Sequence, residues 1–308
     1  MLATMIAVAV APAVPMTAPG PNGPLAGTFV DAGRGAPVVI IIPGSGPTDR
    51  DGDNPLGITA APYRLLAEAM AVQGVSTLRA DKRGMFGSKA AIPDANAVTI
   101  ADYASDAHQW ARVLRQRTGA KCVWLLGHSE GALVALAAAQ QPAGLCGIIL
   151  ASGPGRKFAN ILREQLRANP ANAPLLPMAL AAIDSLEAGK PVDTSNMPTP
   201  LLRLFAPQVQ PFVMDLMKQD PTGEAAAAKL PVLIVQGTKD LQVSTVDAEA
   251  LHKAQAKSEM HLLPNMNHVL KDVASDDRAA NAATYADSSL PVDPRLVAVI
   301  AEFVKRSR

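Results

Sequence analysis

The chain has 308 residues, of which 49% are hydrophobic and 18% charged, enough apolar side chain for a large core and too little charge for a disordered polymer. Its 28 Lys and Arg balance 27 Asp and Glu to a net charge of +1, so no basic field exists to gather nucleic acid or anionic lipid. Aromatic residues at 4% make no stacking platform for bases or polysaccharide. A small molecule is the expected partner, and composition sets no oligomeric state.

Residues 1–24 read as an N-terminal arm. The first 18 residues carry no charged side chain, and the apolar run Met5 to Val14 resembles the core of a secretory signal without its basic start. The run is too short to span a bilayer, and Pro19 to Pro24 (PGPNGP) breaks it from the body. A periplasmic or secreted location is the expectation, with an uncleaved arm on a cytoplasmic protein as the alternative.

From residue 25 onward short β-rich runs alternate with helical stretches, the rhythm of βαβ units around a parallel sheet. Strands are predicted at Val38 to Ile42, Val75 to Arg79, Cys122 to Leu126, Gly147 to Ala151, Val232 to Gln236 and Met260 to Leu263. Helices are predicted at Ala60 to Val72, Ile100 to Arg117, Ser129 to Gln140, Thr245 to Ala256 and Pro294 to Lys305. Unbroken hydrophobicity in VVIII and VLIV implies strands covered on both faces. Between residues 153 and 229 the rhythm stops; prolines limit helices to short pieces near Phe158 to Arg167, Met178 to Ala188 and Pro211 to Gln219. The expected division is a core at 25–152 and 230–308 with a helical lid inserted at 153–229. Within the lid Leu201, Leu202, Leu204, Phe205, Phe212 and Met214 are expected to pack, with an acyl pocket as the alternative. Cys122 and Cys146 open two strand-like runs. Buried free thiols are the expected state, and a disulfide is the alternative if those strands are neighbours. Neither the cysteines nor the five His form a metal-ligand spacing.

Gly127-His128-Ser129-Glu130-Gly131 lies between the strand CVWLL and the helix-like ALVALAAAQ. Strand, Gly-x-Ser-x-Gly and helix in that order form a nucleophile elbow, with the amide of Glu130 aimed at a developing oxyanion. A serine hydroxyl needs a base and an orienting carboxylate, which in this fold follow in the order acid, then His. Asp240 follows the strand PVLIVQG and His268 follows Met260 to Leu263, so both stand in loops at strand carboxyl ends. Asp247, His108, His252 and His261 fall inside elements and read as structural, and His128 reads as packing. The Gly-rich stretch Gly44 to Gly52 follows the first parallel strand. It offers the backbone N–H of Ser45, with Gly46 in reserve, as the second oxyanion donor; it lacks the Lys-Ser/Thr of a phosphate loop. Asp81 and Arg83 are candidates for the site entrance, with a structural ion-pair network as the blander reading.

Gly44-Ser45-Gly46-Pro47-Thr48-Asp49-Arg50-Asp51-Gly52, Arg79-Ala80-Asp81-Lys82-Arg83-Gly84, the elbow, Gln236-Gly237-Thr238-Lys239-Asp240 and Asn267-His268-Val269-Leu270-Lys271 together resemble bacterial α/β-hydrolase carboxylesterases marked by a Gly-Ser-Gly-Pro-x-Asp-Arg-Asp-Gly loop. The likeness extends more distantly to dienelactone hydrolases and prolyl oligopeptidase catalytic domains. It covers the core outside the lid. It implies an α/β-hydrolase fold, a mostly parallel sheet with helices on both faces, and a cofactor-free esterase for short acyl chains with Ser129, Asp240 and His268 as triad. The N-terminal strands of that family are expected to be shortened, because only Leu25 to Val30 precedes the Val38 run. Peptidase, thioesterase, lactonase or acyltransferase chemistry on the same fold is the alternative, and a non-catalytic binding protein a more remote one.

Overall fold

In VVIII the side chains of Val38, Ile40 and Ile42 enter one apolar cluster and those of Val39 and Ile41 another, because successive residues of a strand point to opposite faces. Leu125 and Ile148 join the first cluster, Trp124 and Ile149 the second. Each such aliphatic side chain contributes roughly 1.5–3 kcal/mol on burial. This two-sided burial requires helices on both faces, and the computed structural model, which describes residues 12–306, has them.

Eight strands, β1 (Ala13–Ala18), β2 (Leu25–Val30), β3 (Val38–Ile42), β4 (Ser76–Ala80), β5 (Val123–His128), β6 (Leu145–Ala151), β7 (Val232–Gly237) and β8 (Glu259–Leu263), form one sheet in the order β1-β2-β4-β3-β5-β6-β7-β8. β2 pairs antiparallel with both of its neighbours, β1 and β4, and the other neighbours pair in parallel. The helices are α1 (Pro62–Val72), α2 (Ile100–Thr118), α3 (Glu130–Ala139), α4 (Phe158–Ala168), α5 (Leu176–Glu187), α6 (Thr199–Phe205), α7 (Gln210–Lys218), α8 (Pro221–Ala227), α9 (Thr245–Ala254), α10 (Arg278–Ala283) and α11 (Pro294–Arg306). Side chains of α2, α3 and α9 enter the first cluster and those of α1 and α11 the second. Among the described residues no helix is long and apolar enough to cross a membrane.

All six predicted strands and five predicted core helices form, with small shifts at their ends. The N-terminal expectation is corrected. Residues 13–18 are no free arm but an edge strand, paired from Ala13 opposite Val30 to Ala18 opposite Leu25. Pro19 to Pro24 make the connection, and Pro15 is tolerated because β1 is at the sheet edge. An uncharged run of small apolar residues serves such a strand as well as it serves a signal; most of the run Met5 to Val14 lies outside the described residues.

Between β6 and β7 stand five helices and no strand. Their prolines open helices rather than break them: α5, α6, α7 and α8 each carry Pro at a first or second position, where the missing N–H has no intrahelical partner to lose. This segment has its own apolar cluster, with Leu162, Ile183, Leu201 and Phe205 buried in it, so these last two pack as expected. Leu204 is exposed, and Phe212 packs edge-on against Tyr103 of α2, ring centroids 5.9 Å apart. Asp247 of α9 anchors the start of the segment, accepting from the Gly155 N–H at 3.1 Å and from Arg156 Nη2 at 2.7 Å.

β5 and β6 are neighbours, and Cys122 and Cys146, with Cα atoms 5.1 Å apart, form a disulfide. The free-thiol expectation thereby gives way to the bridge. The bridge closes a loop of sequence separation 24, for which loop-closure entropy gives about 3 kcal/mol. The Cys122→Ser/Cys146→Ser variant is expected to lose about that much in urea unfolding, and reductant is expected to lower the midpoint of the wild type but not of the variant.

Candidate active site

β5 ends at His128 and α3 starts at Glu130, so Ser129 alone makes the turn, at φ 54° and ψ −122°. A side chain in that region costs of the order of 1–3 kcal/mol, and close packing on both sides holds it there. A Cβ on Gly127 would lie 2.1 Å from the Gly131 carbonyl oxygen, and one on Gly131 would lie 2.4 Å from that of Ile42. Glycine at both positions lets α3 start directly against β5 and β3. Ser129 is left half-buried at the carboxyl ends of the strands.

The loops after β7 and β8 bring Asp240 and His268 together. His268 Nδ1–H donates to Asp240 Oδ2 at 2.8 Å, with the carboxylate side chain fully buried and the imidazole nearly so. Oδ1 of Asp240 accepts from the amides of Gln242 and Val243 at 2.8 and 2.9 Å, and Gln236 Nε2 donates to Oδ2 at 3.2 Å. Burial works to raise this carboxyl; the neighbouring His268 and the amide bonds outweigh it and hold it below the ordinary carboxylate value. The two loops are laced together by Thr238 N–H to Leu263 O and Lys239 N–H to Met266 O, both at 3.0 Å. Buried Asn267 fixes the His268 turn, donating to Thr284 Oγ1 at 2.7 Å and accepting from the Lys271 amide at 3.1 Å.

His128 connects the elbow to this pair. Its Nε2–H donates to the His268 carbonyl at 2.8 Å, which leaves Nδ1 to accept from Tyr63 Oη, also at 2.8 Å. Tyr63 Oη in turn accepts from the Gly44 amide at 3.0 Å. The His128 and His268 rings lie 4.8 Å apart. Among the described residues Ser129 Oγ has no hydrogen-bond partner; the link from the elbow to His268 is made by His128, the residue before it. Burial, and then the proximity of His268, push His128 down to about 3, so the ring is neutral as its two bonds require. The packing role expected of His128 is therefore met by a bonded scaffold residue. Tyr63 was not foreseen, because a lone tyrosine on a helix face carries no sequence signal.

Gly44 lies beside the elbow serine: a Cβ there would be 3.2 Å from Ser129 Cβ. Ser45 and Gly46 are exposed, and among the described residues neither amide has an acceptor. The rest of the loop is wound by its own acids. Asp49 Oδ1 accepts from the amides of Asp51 and Asp53 at 2.8 and 2.9 Å, and Asp51 pairs with Arg79. Asp81 accepts from the Arg50 amide at 2.9 Å and pairs with its guanidinium. Arg83 holds Asp106 with two 2.7 Å bonds and reaches Asp102 at 2.9 Å. Asp81 and Arg83 thus follow the network reading, both buried in ion pairs. The remaining histidines have local partners: His108 the Ala138 carbonyl, His252 Ser258, and His261 Glu259.

A sheet of this order, with a serine elbow and a His–Asp pair at its carboxyl ends, defines an α/β-hydrolase. The family model described as serine aminopeptidase, S33 (Hydrolase_4), matches residues 56–272, and the chain belongs to that family. It is 25% identical over 241 residues to esterase EstD of Thermotoga maritima, which covers 76% of this chain and 54% of that protein; the chain spans about half the length of this curated relative. Among solved structures, esterase Pf2001 of Pyrococcus furiosus superposes with a TM-score of 0.59 at 16% identity, over 96% of this chain and 92% of that one. A thermophilic esterase from Thermogutta terrifontis gives 0.58 at 20% identity over 96% and 99%. The α/β-hydrolase GrgF from Penicillium sp. gives 0.62 at 18% identity, again over 96% and 99%. These superpositions establish the fold.

The neutral His128 generates a pH dependence. Its folded value of about 3 lies below the ordinary 6.5, so between those limits the unfolded chain binds a proton that the folded chain does not, and stability is lost as pH falls through that window. His128→Leu is expected to cost about 2–3 kcal/mol at pH 7 by orphaning the His268 carbonyl and Tyr63, yet to flatten the slope of urea midpoint against pH between 6.5 and 3. A slope unchanged in the variant would show that another group carries it.

Proposed function

We propose that the chain is a serine hydrolase of carboxylic esters with short acyl groups. The single observation that carries the reading is the strained elbow serine, joined through the preceding His128 to the backbone of His268, whose ring holds Asp240 by a 2.8 Å bond. In the proposed reaction His268 Nε2 takes the Ser129 proton as Oγ attacks the ester carbonyl carbon. The oxyanion is held by the amides of Ser45 and Glu130, and Asp240 supports the imidazolium. His268 then protonates the leaving alcohol. Water, deprotonated by the same imidazole, adds to the acyl-enzyme and releases the acid and free Ser129. The helices α4 to α8 are proposed as the cap over this site. The Cys122–Cys146 bridge supports export to an oxidising compartment.

The family description favours a second reading, an aminopeptidase. Such an enzyme needs an acidic anchor for a free α-amine, but the acids flanking this site are engaged: Asp81 by Arg50, Asp51 by Arg79 and Glu130 by Lys82. This supports esters over peptides.

A chain-length series of p-nitrophenyl esters and an aminoacyl p-nitroanilide separate the two readings. Ester turnover is expected to fall by at least about 10⁴-fold in Ser129→Ala and to decline with longer acyl chains, with little anilide cleavage. Full activity in Ser129→Ala would sink the proposed mechanism, and anilide turnover matching that of esters would favour the peptidase.

A further inference from the structure

We propose that Lys82, paired with Glu130, is a positioning residue that sets both amide donors of the oxyanion hole. The proposal rests on the reading of Ser129 as nucleophile and of the Ser45 and Glu130 amides as donors.

Lys82 follows β4, and its side chain is 4% exposed, that of Glu130 3%. Taking an ammonium and a carboxylate out of water costs several kcal/mol each unless their bonding is good. Lys82 Nζ donates to the Gly44 carbonyl at 2.7 Å and to Glu130 Oε1 at 3.2 Å, and it stands 5.5 Å from the Tyr103 ring centroid. Those two acceptors belong to the two halves of the proposed hole. The Gly44 carbonyl and the Ser45 N–H are opposite ends of one planar trans peptide. An ammonium holding the oxygen therefore turns the N–H the other way and fixes the peptide plane. It also withdraws charge through the peptide and makes that N–H a stronger donor. The preceding peptide is fixed as well, because the Gly44 N–H is held by Tyr63 Oη at 3.0 Å. Without these ties Ser45, exposed together with Gly46, would be free to rotate the donor away.

Glu130 carries the second donor. It opens α3, where a backbone N–H has no intrahelical acceptor, and its side chain ends on the same ammonium. One cation thus ties the loop after β3 to the first turn of α3. Preorganised donors act on charge that develops in the transition state, so the signature of the tie is a loss of kcat rather than of substrate binding. The structure separates Lys82 from its neighbours: Asp81 and Arg83 pair with Arg50, Asp102 and Asp106, while Lys82 turns to Gly44 and Glu130.

Glu130 Oε2 is buried without a partner, so removing Lys82 alone would leave an isolated buried charge. The test is therefore the double variant Lys82→Met/Glu130→Gln, which keeps both side chains near their size. Its kcat for a p-nitrophenyl ester is expected to fall roughly 10- to 100-fold, short of the 10²–10³ of losing a donor outright. KM should stay within about twofold. Affinity for a trifluoromethyl ketone, which forms a tetrahedral adduct on serine, should weaken by the same factor as kcat while affinity for the product acid does not. Unchanged kcat and ketone affinity in a folded double variant, with Ser129→Ala inactive, would overturn this proposal and leave the serine reading standing. An active Ser129→Ala would overturn both. If the double variant does not fold, the ketone adduct of the wild type decides by crystallography. The adduct oxygen is expected on the Ser45 and Glu130 amides with Lys82 still on the Gly44 carbonyl, and an oxygen bound elsewhere overturns the proposal.

Discussion

A serine held at φ 54° at the end of β5 is the constraint around which the rest of the molecule is arranged. The backbone tolerates it only where two glycines let α3 begin against the ends of β3 and β5, and that approach needs these central strands held rigidly. Continuous aliphatic strands buried on both faces supply the rigidity. The energy stored in one turn is small against that of the surrounding core, which is why a strained residue can persist at the place where chemistry needs an accessible hydroxyl.

Around the turn the polar groups are arranged by loops with no common secondary structure. The segments at the ends of β3, β5, β7 and β8 meet at one end of the sheet, and each is tied to another by a buried bond: Gly44 through Tyr63 to His128, His128 to the His268 backbone, and His268 to Asp240. These bonds are made by groups that water cannot replace once buried, so loss of one partner strands the next. The chain of contacts makes the relative placement of four loops a collective property.

Much of this was legible in the sequence because it depends on local pattern. Hydrophobic period and Gly-x-Ser-x-Gly between strand and helix are short-range signals, and loop acids after strands are too, so the sheet, the elbow, Asp240 and His268 could be read from the chain. Tyr63, Lys82, Asn267 and Gln236 were not assigned roles because their partners lie far away in sequence, and a lone Tyr or Lys looks the same on a solvated surface as in a polar web. Asp81 and Arg83 sat in a visible motif, but only three-dimensional pairing distinguishes a network from an entrance. The two cysteines depended on strand adjacency, which a parallel order of β5 next to β6 resolves. The first strand was obscured because an uncharged run of Ala, Val, Pro and Met satisfies the grammar of an export signal and of an edge strand alike.

That double reading carries a constraint on maturation. β1 covers the outer edge of β2, with Ala18 opposite Leu25 and Ala13 opposite Val30. A protease cut within residues 13–18 would uncover a row of unpaired backbone groups, the kind of margin through which sheets of separate molecules join. A cut ahead of Ala13 leaves this sheet whole, whereas a later one would move its edge from β1, where Pro15 removes a backbone donor, to β2.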